Sequence, residues 1–563
     1  MARKDVHGEL DGPDPELENK ICQEETSTPF HVRLRPVYFF ESNWRAAGRR
    51  IWGNTMASTS PLSAGHSGIR IWNRELVTYP ERDARRMHLL LVVLITVTLY
   101  YELYVGSGVA TIMLAQLRMP FPIFVYILAA GNLLGAFASL LAGLADRFGR
   151  ANLVVYGLLV VGLITLFWVP NVTNALQFGL SFGVVSFVEG IILVATPALI
   201  RDFAPQVGRA TAMGFWTIGP VLGSLTVSGV NTFTLPIYQT WQSQFVLCGV
   251  AGMVVFVLAF LFLRELAPAL RDQLMVSDRD RVLVELKAKG LDIEASLRHP
   301  WRQMMHVDVL ASAFGVSVML LAYYTAVGFG LIYLVTVFQF SVTQANALAN
   351  WTWGANAIAL IVAGVISDRL RVRKPFMLAG GIGGAVMLWI WLLQAGQHPS
   401  FATLVVISCL QTVFMGFAYV TWMASFTETV EAHNPALTAT GLAIWGWLVR
   451  IVVTACFLCL PVVVRSVTPL IEAPYYMAAY QQALANHVTP SAPLLKALDA
   501  IKAAVAAAPG EWQAWYWICI GGVVVFIATI FLMRGRWSPA AARADEEAHD
   551  AAVARELHAL QGS

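Results

Sequence analysis

The sequence is poor in charge and lacks the motifs of ATP-driven motors and of common enzymes. Only 13% of its 563 residues are charged and 57% are hydrophobic, whereas an average soluble domain carries about 25% charge. There is no G-x-x-x-x-G-K-[ST] loop, zinc motif or nucleophile constellation, which argues against a self-contained ATP-driven pump and against an enzyme, a cofactor or a metal centre. The formal net charge of +3 is too small to indicate a nucleic acid partner. This composition is typical of an integral membrane protein.

Cysteine is also scarce. Cys22 lies in a polar N-terminal region and the other five cysteines lie inside apolar segments, so they form no disulfide framework. Cys456 and Cys459 have the spacing of a redox or metal pair, but no histidine or second cysteine pair stands near them. We interpret them as small packing residues.

What the sequence has in abundance is long apolar runs. A bilayer core of about 30 Å needs roughly 20 mostly apolar residues per helix, and twelve stretches qualify. They predict an all-α membrane protein with helices near residues 88–113, 121–143, 152–169, 176–200, 210–232, 242–263, 309–335, 345–366, 376–394, 401–425, 436–463 and 513–533.

The loops between these stretches are alternately basic and nearly free of charge. The basic ones are Arg147 to Arg150, Arg201 to Arg209, the long 264–307 connection and Arg369 to Lys374. Basic loops face the cytoplasm, so we expect a multi-pass protein of the plasma membrane with both termini cytoplasmic.

This pattern also divides the chain. The loop at 464–512 has helical composition at 475–484 and 494–507, with Pro509 and Gly510 closing the second segment. It would either cover the outer mouth or be a decoration of this lineage. The predicted parts are a largely disordered cytoplasmic tail (1–87), a first six-helix bundle (88–263), a cytoplasmic linker with a short helix (264–308), a second six-helix bundle that includes the 464–512 loop (309–534) and a cytoplasmic tail (535–563).

A charged turn occurs twice. The segment from Gly143 to Arg150 contains Asp146, Arg147 and Gly149, and a related segment with Asp368 and Arg369 follows 222 positions after Asp146. The pattern resembles the loop signature of the major facilitator superfamily. The resemblance implies two pseudo-symmetric six-helix bundles that rock against each other in alternating access.

In that family the signature loop holds the cytoplasmic gate shut. The resemblance implies that Asp146 faces the N-terminus of the eleventh helix, which Asn434 and Pro435 mark, with support from Arg147, Arg150 and Arg201. By duplication, Asp368 would face the start of the fifth helix near Arg209. The second copy departs from the family pattern, because Arg371 replaces its later glycine.

Three charges lie inside the predicted membrane helices, namely Glu102, Glu189 and Arg450. A charge at the bilayer centre costs about 2.5–3.5 kcal/mol, so these residues are candidate proton or substrate sites. Their helices line the central cavity in the fold that the resemblance implies. Arg450 would either switch a glutamate between protonation states or bind a substrate carboxylate or phosphate. Interhelix ion pairs that only support packing are the alternative.

Four neutral residues are weaker candidates for the cavity lining: Tyr323, Tyr324, Asn356 and Gln411. Together these residues predict a secondary transporter that imports a polar or anionic metabolite by proton symport. Proton-antiport efflux of an amphipathic or cationic compound is the alternative, supported by the glycines of the fifth helix such as Gly219. A non-transporting receptor on the same fold is a third hypothesis. We expect a monomer whose partners are a small solute, protons and the lipid bilayer.

Overall fold

The computed structural model describes residues 74–139, 148–203, 217–268, 270–271, 300–434 and 437–535, and beyond these 537–541, 543–544, 547–548, 551 and 555. All of them except Arg555 belong to one compact unit, Ser67–Val553. The described residues of this unit are almost entirely helical.

The first half of the described chain holds seven α-helices. Two short non-α turns, a π-turn at Ile164–Trp168 and a 3₁₀ turn at Val169–Asn171, continue the fourth. The helices are α1 (Arg82–Gly108), α2 (Ala110–Leu117), α3 (Phe121–Ser139), α4 (Arg150–Leu163), α5 (Ala175–Phe203), α6 (Gly219–Tyr238) and α7 (Trp241–Phe262).

The described part of the second half holds nine α-helices. They are α8 (Pro300–Gln303), α9 (Val307–Met319), α10 (Leu321–Phe338), α11 (Val342–Leu370), α12 (Lys374–Leu393), α13 (Phe401–His433), α14 (Thr438–Val463), α15 (Val467–Ala485) and α16 (Ala492–Ile530).

The predicted membrane helices are present. Eleven spans in the described chain are long and apolar enough to cross a membrane. The remaining predicted helix is α6, which is less apolar because it carries Ser, Thr and Asn residues such as Ser228 and Asn231. The first predicted helix bends at Val109 between α1 and α2, and the seventh bends at Leu320 between α9 and α10.

The outer loop differs from expectation in one respect. The predicted stop at Pro509 and Gly510 is wrong, because α16 runs through both residues for 39 residues and joins the loop helix to the last membrane helix. Proline removes one backbone donor, but Ala504, Ala508 and Trp512 are buried on one side of this helix. Packing therefore holds the helix through the proline.

The described chain begins inside the segment predicted as a tail. Here a short strand β1 (Glu75–Leu76) pairs in parallel with β2 (Glu265–Leu266), which follows α7. Arg74 is buried, and its Nη1 donates a hydrogen bond to the Phe260 carbonyl at a distance of 2.5 Å. The lead-in to α1 is thus bound to the end of the first bundle.

Two large apolar cores organise the described residues, and a third, small cluster contains Val221, Trp353 and Leu360. The larger contains residues of both halves, such as Phe124 and Phe329, whose rings meet edge to face at 6.5 Å. The smaller belongs to the first half and includes Val92 and Leu199. The first-half residues of the shared core, such as Val109 and Phe121, lie toward the end of the bundle that carries Gly108, which we call the predicted outer end. There the two halves are in contact.

Candidate functional site

Two glycines bring a carboxylate of the first half close to a cation of the second. Glu189 lies in α5 next to Gly190, whose position is so close to the backbone of Gly135 in α3 that an added Cβ would overlap it. A Cβ at Gly135 would in turn lie 3.1 Å from Nη1 of Arg450 in α14. Close approach of helices through small residues is typical of membrane packing. Glu189 and Arg450 therefore both lie beside the close contact between α3 and α5.

Arg450 is held by backbone contacts that cross between the halves. Its Nη1 donates to the Asn132 carbonyl at 3.3 Å, and Asn132 Nδ2 donates to the Arg450 carbonyl at 3.1 Å and to Thr454 Oγ1 at 2.9 Å. In the described chain no carboxylate forms a hydrogen bond with the guanidinium. Because an arginine has five N–H donors, most of them are available to a ligand.

Glu189 is 3% exposed, and its Oε1 has no hydrogen-bond partner in the described chain. Arg450 and Tyr100 lie within electrostatic range of the carboxyl group. The protonation of a buried carboxyl group responds strongly to changes in hydration and in the distance to a cation. Glu189 is therefore a buried carboxyl group within electrostatic range of a cation of the other half.

Glu102 lies within electrostatic range of Glu189, but its carboxyl group packs against other helices. Its carboxyl group fills the space beside Gly252 of α7, where an added Cβ would stand, and Gly162 of α4 lies next to that position. Both carboxyl oxygens are buried without a described hydrogen-bond partner. Glu102 thus lies within the packing of the first half, whereas Glu189 lies at the contact with the second.

Tyrosines surround the Glu189 and Arg450 pair from both halves. Tyr100 and Tyr104 of α1 have ring centroids 5.5 Å apart, and Tyr323 and Tyr324 of α10 have centroids 5.3 Å apart. Tyr324 lies within electrostatic range of Arg450. The bend at Leu320 places the second pair in the first turn of α10. Tyr100 and Tyr104 flank Glu102 in sequence, and this clustering was the signal that could have identified them.

A cavity of about 100 Å³ lies between the halves on the predicted outer side. Gln411 is among its described lining residues, whereas Asn356 is not and donates to Thr412 within the second half. None of the described lining residues is charged. The aromatic members of the lining are Tyr104, Trp353, Trp391 and Tyr516.

An asparagine network beside this cavity was missed by the sequence interpretation. Asn346 of α11 donates to the Gly108 carbonyl at 2.9 Å and accepts from Asn231 of α6 at 3.3 Å. Asn350 accepts from Ser228 of α6 at 2.7 Å and donates to Thr232 of α6 at 3.0 Å. Asparagines inside apolar helices are known to link helices, which is the signal that would have indicated them.

The described part of the first signature loop is tightly held. The Arg150 guanidinium forms an ion pair with Asp202 at 2.8 Å, and the Arg150 amide donates to Glu265 Oε2 at 2.9 Å. Gly149 has φ +87° and an added Cβ would meet the Glu265 carboxyl group. Arg201, predicted to support the loop, is exposed. The predicted residues Gly143, Asp146, Arg147 and Arg209 lie outside the described residues.

The second copy of the loop is closed by its own cation. Asp368 pairs with Arg373 at 2.6 Å, and Arg373 also meets Glu428 of α13 at 3.1 Å. Arg369 is exposed. Arg371, which occupies the position of Gly149 in the repeat, likewise has a positive φ, +57°. The two positions share a positive φ but not a full backbone conformation, because ψ is 135° at Gly149 and 29° at Arg371.

In the described chain no group of three or more His, Cys, Asp or Glu side chains could hold a metal ion. The candidate chemistry consists of a buried carboxyl group, a guanidinium with available donors, and a wall of tyrosines. This combination suits proton exchange and recognition of a polar or anionic group.

Comparison with known proteins identifies a family and several similar folds. A family model described as Major Facilitator Superfamily matches residues 89–449. A bacterial homolog of the human lysosomal transporter Spinster, in an inward-facing and unoccupied conformation, is similar in fold, with a TM-score of 0.59, 14% identity and coverage of 80% of this chain and 98% of that chain.

The xylose transporter XylE from E. coli, partially occluded and inward open, has a TM-score of 0.52 at 14% identity and covers 67% of this chain and 91% of its own. A D-xylose–proton symporter gives 0.51 at 16% identity, with coverage of 66% and 89%. At these identities the likeness shows the fold. The comparison with curated proteins gives no significant match.

Proposed function

Because the chain belongs to the major facilitator superfamily, whose members transport solutes by alternating access, we propose that it carries a small polar or anionic organic solute together with protons by symport. We assign it to the plasma membrane with both termini cytoplasmic, on the strength of the basic loops. The D-xylose–proton symporter among the similar folds is a precedent for proton coupling on this architecture.

One observation carries the proposal. Glu189 is a buried carboxyl group in a membrane helix, its Oε1 has no described hydrogen-bond partner, and it faces the half that carries Arg450. Glu102 also lacks described hydrogen-bond partners, but it packs within the first half. What distinguishes Glu189 is its position beside the cation of the other half, where movement of the halves would change its protonation.

Charge balance defines the empty and loaded states of the proposed transport cycle. In the empty carrier an ionised Glu189 and Arg450 neutralise each other. In the loaded carrier Glu189 holds the proton and Arg450 holds the anionic group of the solute through its planar fork. Each state avoids an uncompensated charge, which costs about 2.5–3.5 kcal/mol at the bilayer centre. Protonation of Glu189 without solute leaves the Arg450 charge unbalanced, and binding of the anionic solute without a proton leaves an excess negative charge. Both states are unfavourable, so transport of the solute is coupled to transport of the proton.

The described cavity between the halves is small, and neither Glu189 nor Arg450 is among its lining residues. Its volume of about 100 Å³ is well below the roughly 300–1,000 Å³ of ordinary ligand sites. Entry of an organic solute therefore requires the halves to move. The tyrosines next to Arg450 offer hydroxyl groups and ring faces to the remainder of the solute.

Efflux by proton antiport is a second candidate, favoured by the aromatic and uncharged cavity lining. Here a cationic or amphipathic compound would compete with the proton for Glu189. Binding of the compound would then release a proton, whereas symport requires both ligands together.

The test begins with a thermal-shift screen of metabolites and amphipathic cations on purified protein. A ligand at 100 times its dissociation constant stabilises the folded state by about 2.7 kcal/mol. Compounds that bind are then added outside proteoliposomes that contain the protein. Symport alkalinises the outer medium. Acidification would support antiport instead, and binding without movement of solute would support the receptor hypothesis.

A further inference from the structure

Helix α15 (Val467–Ala485) lies across the junction between the two halves at the predicted outer end. It contacts α2 of the first half and α10 of the second. Val467 and Ile471 are buried in the apolar core that the halves share. A helix in this position cannot stay on both halves when they separate.

The attachment of α15 to the second half is strong. Glu511 of α16 accepts hydrogen bonds on Oε2 from the backbone amides of Arg465 and Ser466, at 2.9 and 2.8 Å. These amides precede the first turn of α15, where donors lack partners within the helix and the dipole favours a carboxylate. α15 also follows directly from α14, which belongs to the second half.

In the described chain, the polar contacts of α15 with the first half are two, and both are weaker. The Phe121 amide at the start of α3 donates to Thr468 Oγ1 at 3.0 Å. The Arg118 guanidinium lies 5.3 Å from the centroid of the Tyr475 ring. A neutral hydrogen bond and an exposed cation–π contact are each modest in strength, so thermal motion can break both during a transport cycle.

We propose that α15 is a lid that is fixed to the second half and latched to the first half by Thr468 and Tyr475. The latch holds the predicted outer mouth closed, and opening on that side requires both contacts to break. The proposal depends on alternating access but not on proton coupling or on the identity of the solute. Its outcome is therefore separate from that of symport.

The first experiment measures opening. Ser107 lines the cavity, so Ser107→Cys, in a chain whose six native cysteines are replaced, reports access from outside by its reaction rate with a membrane-impermeant maleimide. We expect Tyr475→Ala and Thr468→Val each to raise the rate by about threefold to tenfold, and their combination to raise it further. Tyr480→Ala, on the same helix, is the control and should leave the rate unchanged.

The second experiment identifies the half with which the lid moves. Spin labels at the exposed positions 481 and 502 measure the distance from the lid to the second half, and labels at 481 and 239 measure its distance to the first. In the double latch variant we expect the first distance to stay fixed and the second to gain a longer component. Unchanged maleimide rates in both latch variants, or a lid that keeps its distance to position 239 while moving from 502, would overturn the proposal.

Discussion

Asn346 offers a test of whether the asparagine network holds the predicted outer end closed. It is 2% exposed and makes two hydrogen bonds to the first half, to the Gly108 carbonyl and from Asn231. Asn346→Leu keeps the approximate size of the side chain and removes both bonds.

The size of the effect follows from measured hydrogen bonds between membrane helices, about 0.6 kcal/mol on average and about 1.7 at most. Two bonds therefore contribute roughly 1–3 kcal/mol to the closed arrangement. Because 1.4 kcal/mol is a tenfold change in an equilibrium, the population that is open on this side should rise by about fivefold to a hundredfold.

A matched control lies three turns along the same helix. Asn356 is 7% exposed and donates to Thr412, but that contact stays within the second half. Asn356→Leu should lower thermal stability without opening the mouth. The assay is again the maleimide rate at Ser107→Cys. Equal acceleration by both substitutions, or no acceleration by Asn346→Leu, would refute the reasoning.

Three further predictions concern single substitutions. Gly190→Ala should destabilise the protein by about 1–3 kcal/mol, because its Cβ meets the backbone of Gly135. Gly354→Ala of the second half is the control, since it has open space around it and should stabilise its helix by up to about 1 kcal/mol; denaturant unfolding measures both. Gly149→Ala should cost about 1–3 kcal/mol through its positive φ, and a melting temperature equal to wild type would contradict this. Burial raises the pKa of Glu265 more than the hydrogen bond from the Arg150 amide lowers it. The Glu265 carboxyl group therefore stays protonated to higher pH in the folded state than in the unfolded state, and the free energy of unfolding falls as pH rises between the two pKa values. Glu265→Gln should remove that fall, and parallel melting curves against pH would disprove the assignment.

The fold was largely predictable because its signal is spread over many residues. Apolar runs of about 20 residues located the membrane helices, and the repeated Asp146 and Asp368 turns indicated the duplication. Local propensity failed at Pro509, where burial of Ala508 and Trp512 in the second half keeps the helix intact. The pairing of β1 with β2 was also invisible, because two-residue strands leave no periodic pattern.

The site was less predictable. Intramembrane charge singled out Glu102, Glu189 and Arg450 alike, and depth along a helix could not show that only Glu189 and Arg450 lie at the junction of the halves. The two glutamates differ in the direction in which their side chains leave the helix, since Glu102 faces α7 beside Gly252. Asn132, which holds Arg450 in place, depends on contacts between residues more than 300 positions apart. Such pairing requires the three-dimensional packing.

The most direct test of the central claim separates coupling from binding at Glu189. Once the screen has supplied a transported solute, wild type, Glu189→Gln and Glu102→Gln are compared in proteoliposomes for solute exchange at equal pH and for accumulation driven by a pH gradient. The account predicts that Glu189→Gln keeps exchange but loses accumulation, because a permanently neutral side chain no longer needs a proton for each turnover. Accumulation by Glu189→Gln equal to that of wild type would contradict it.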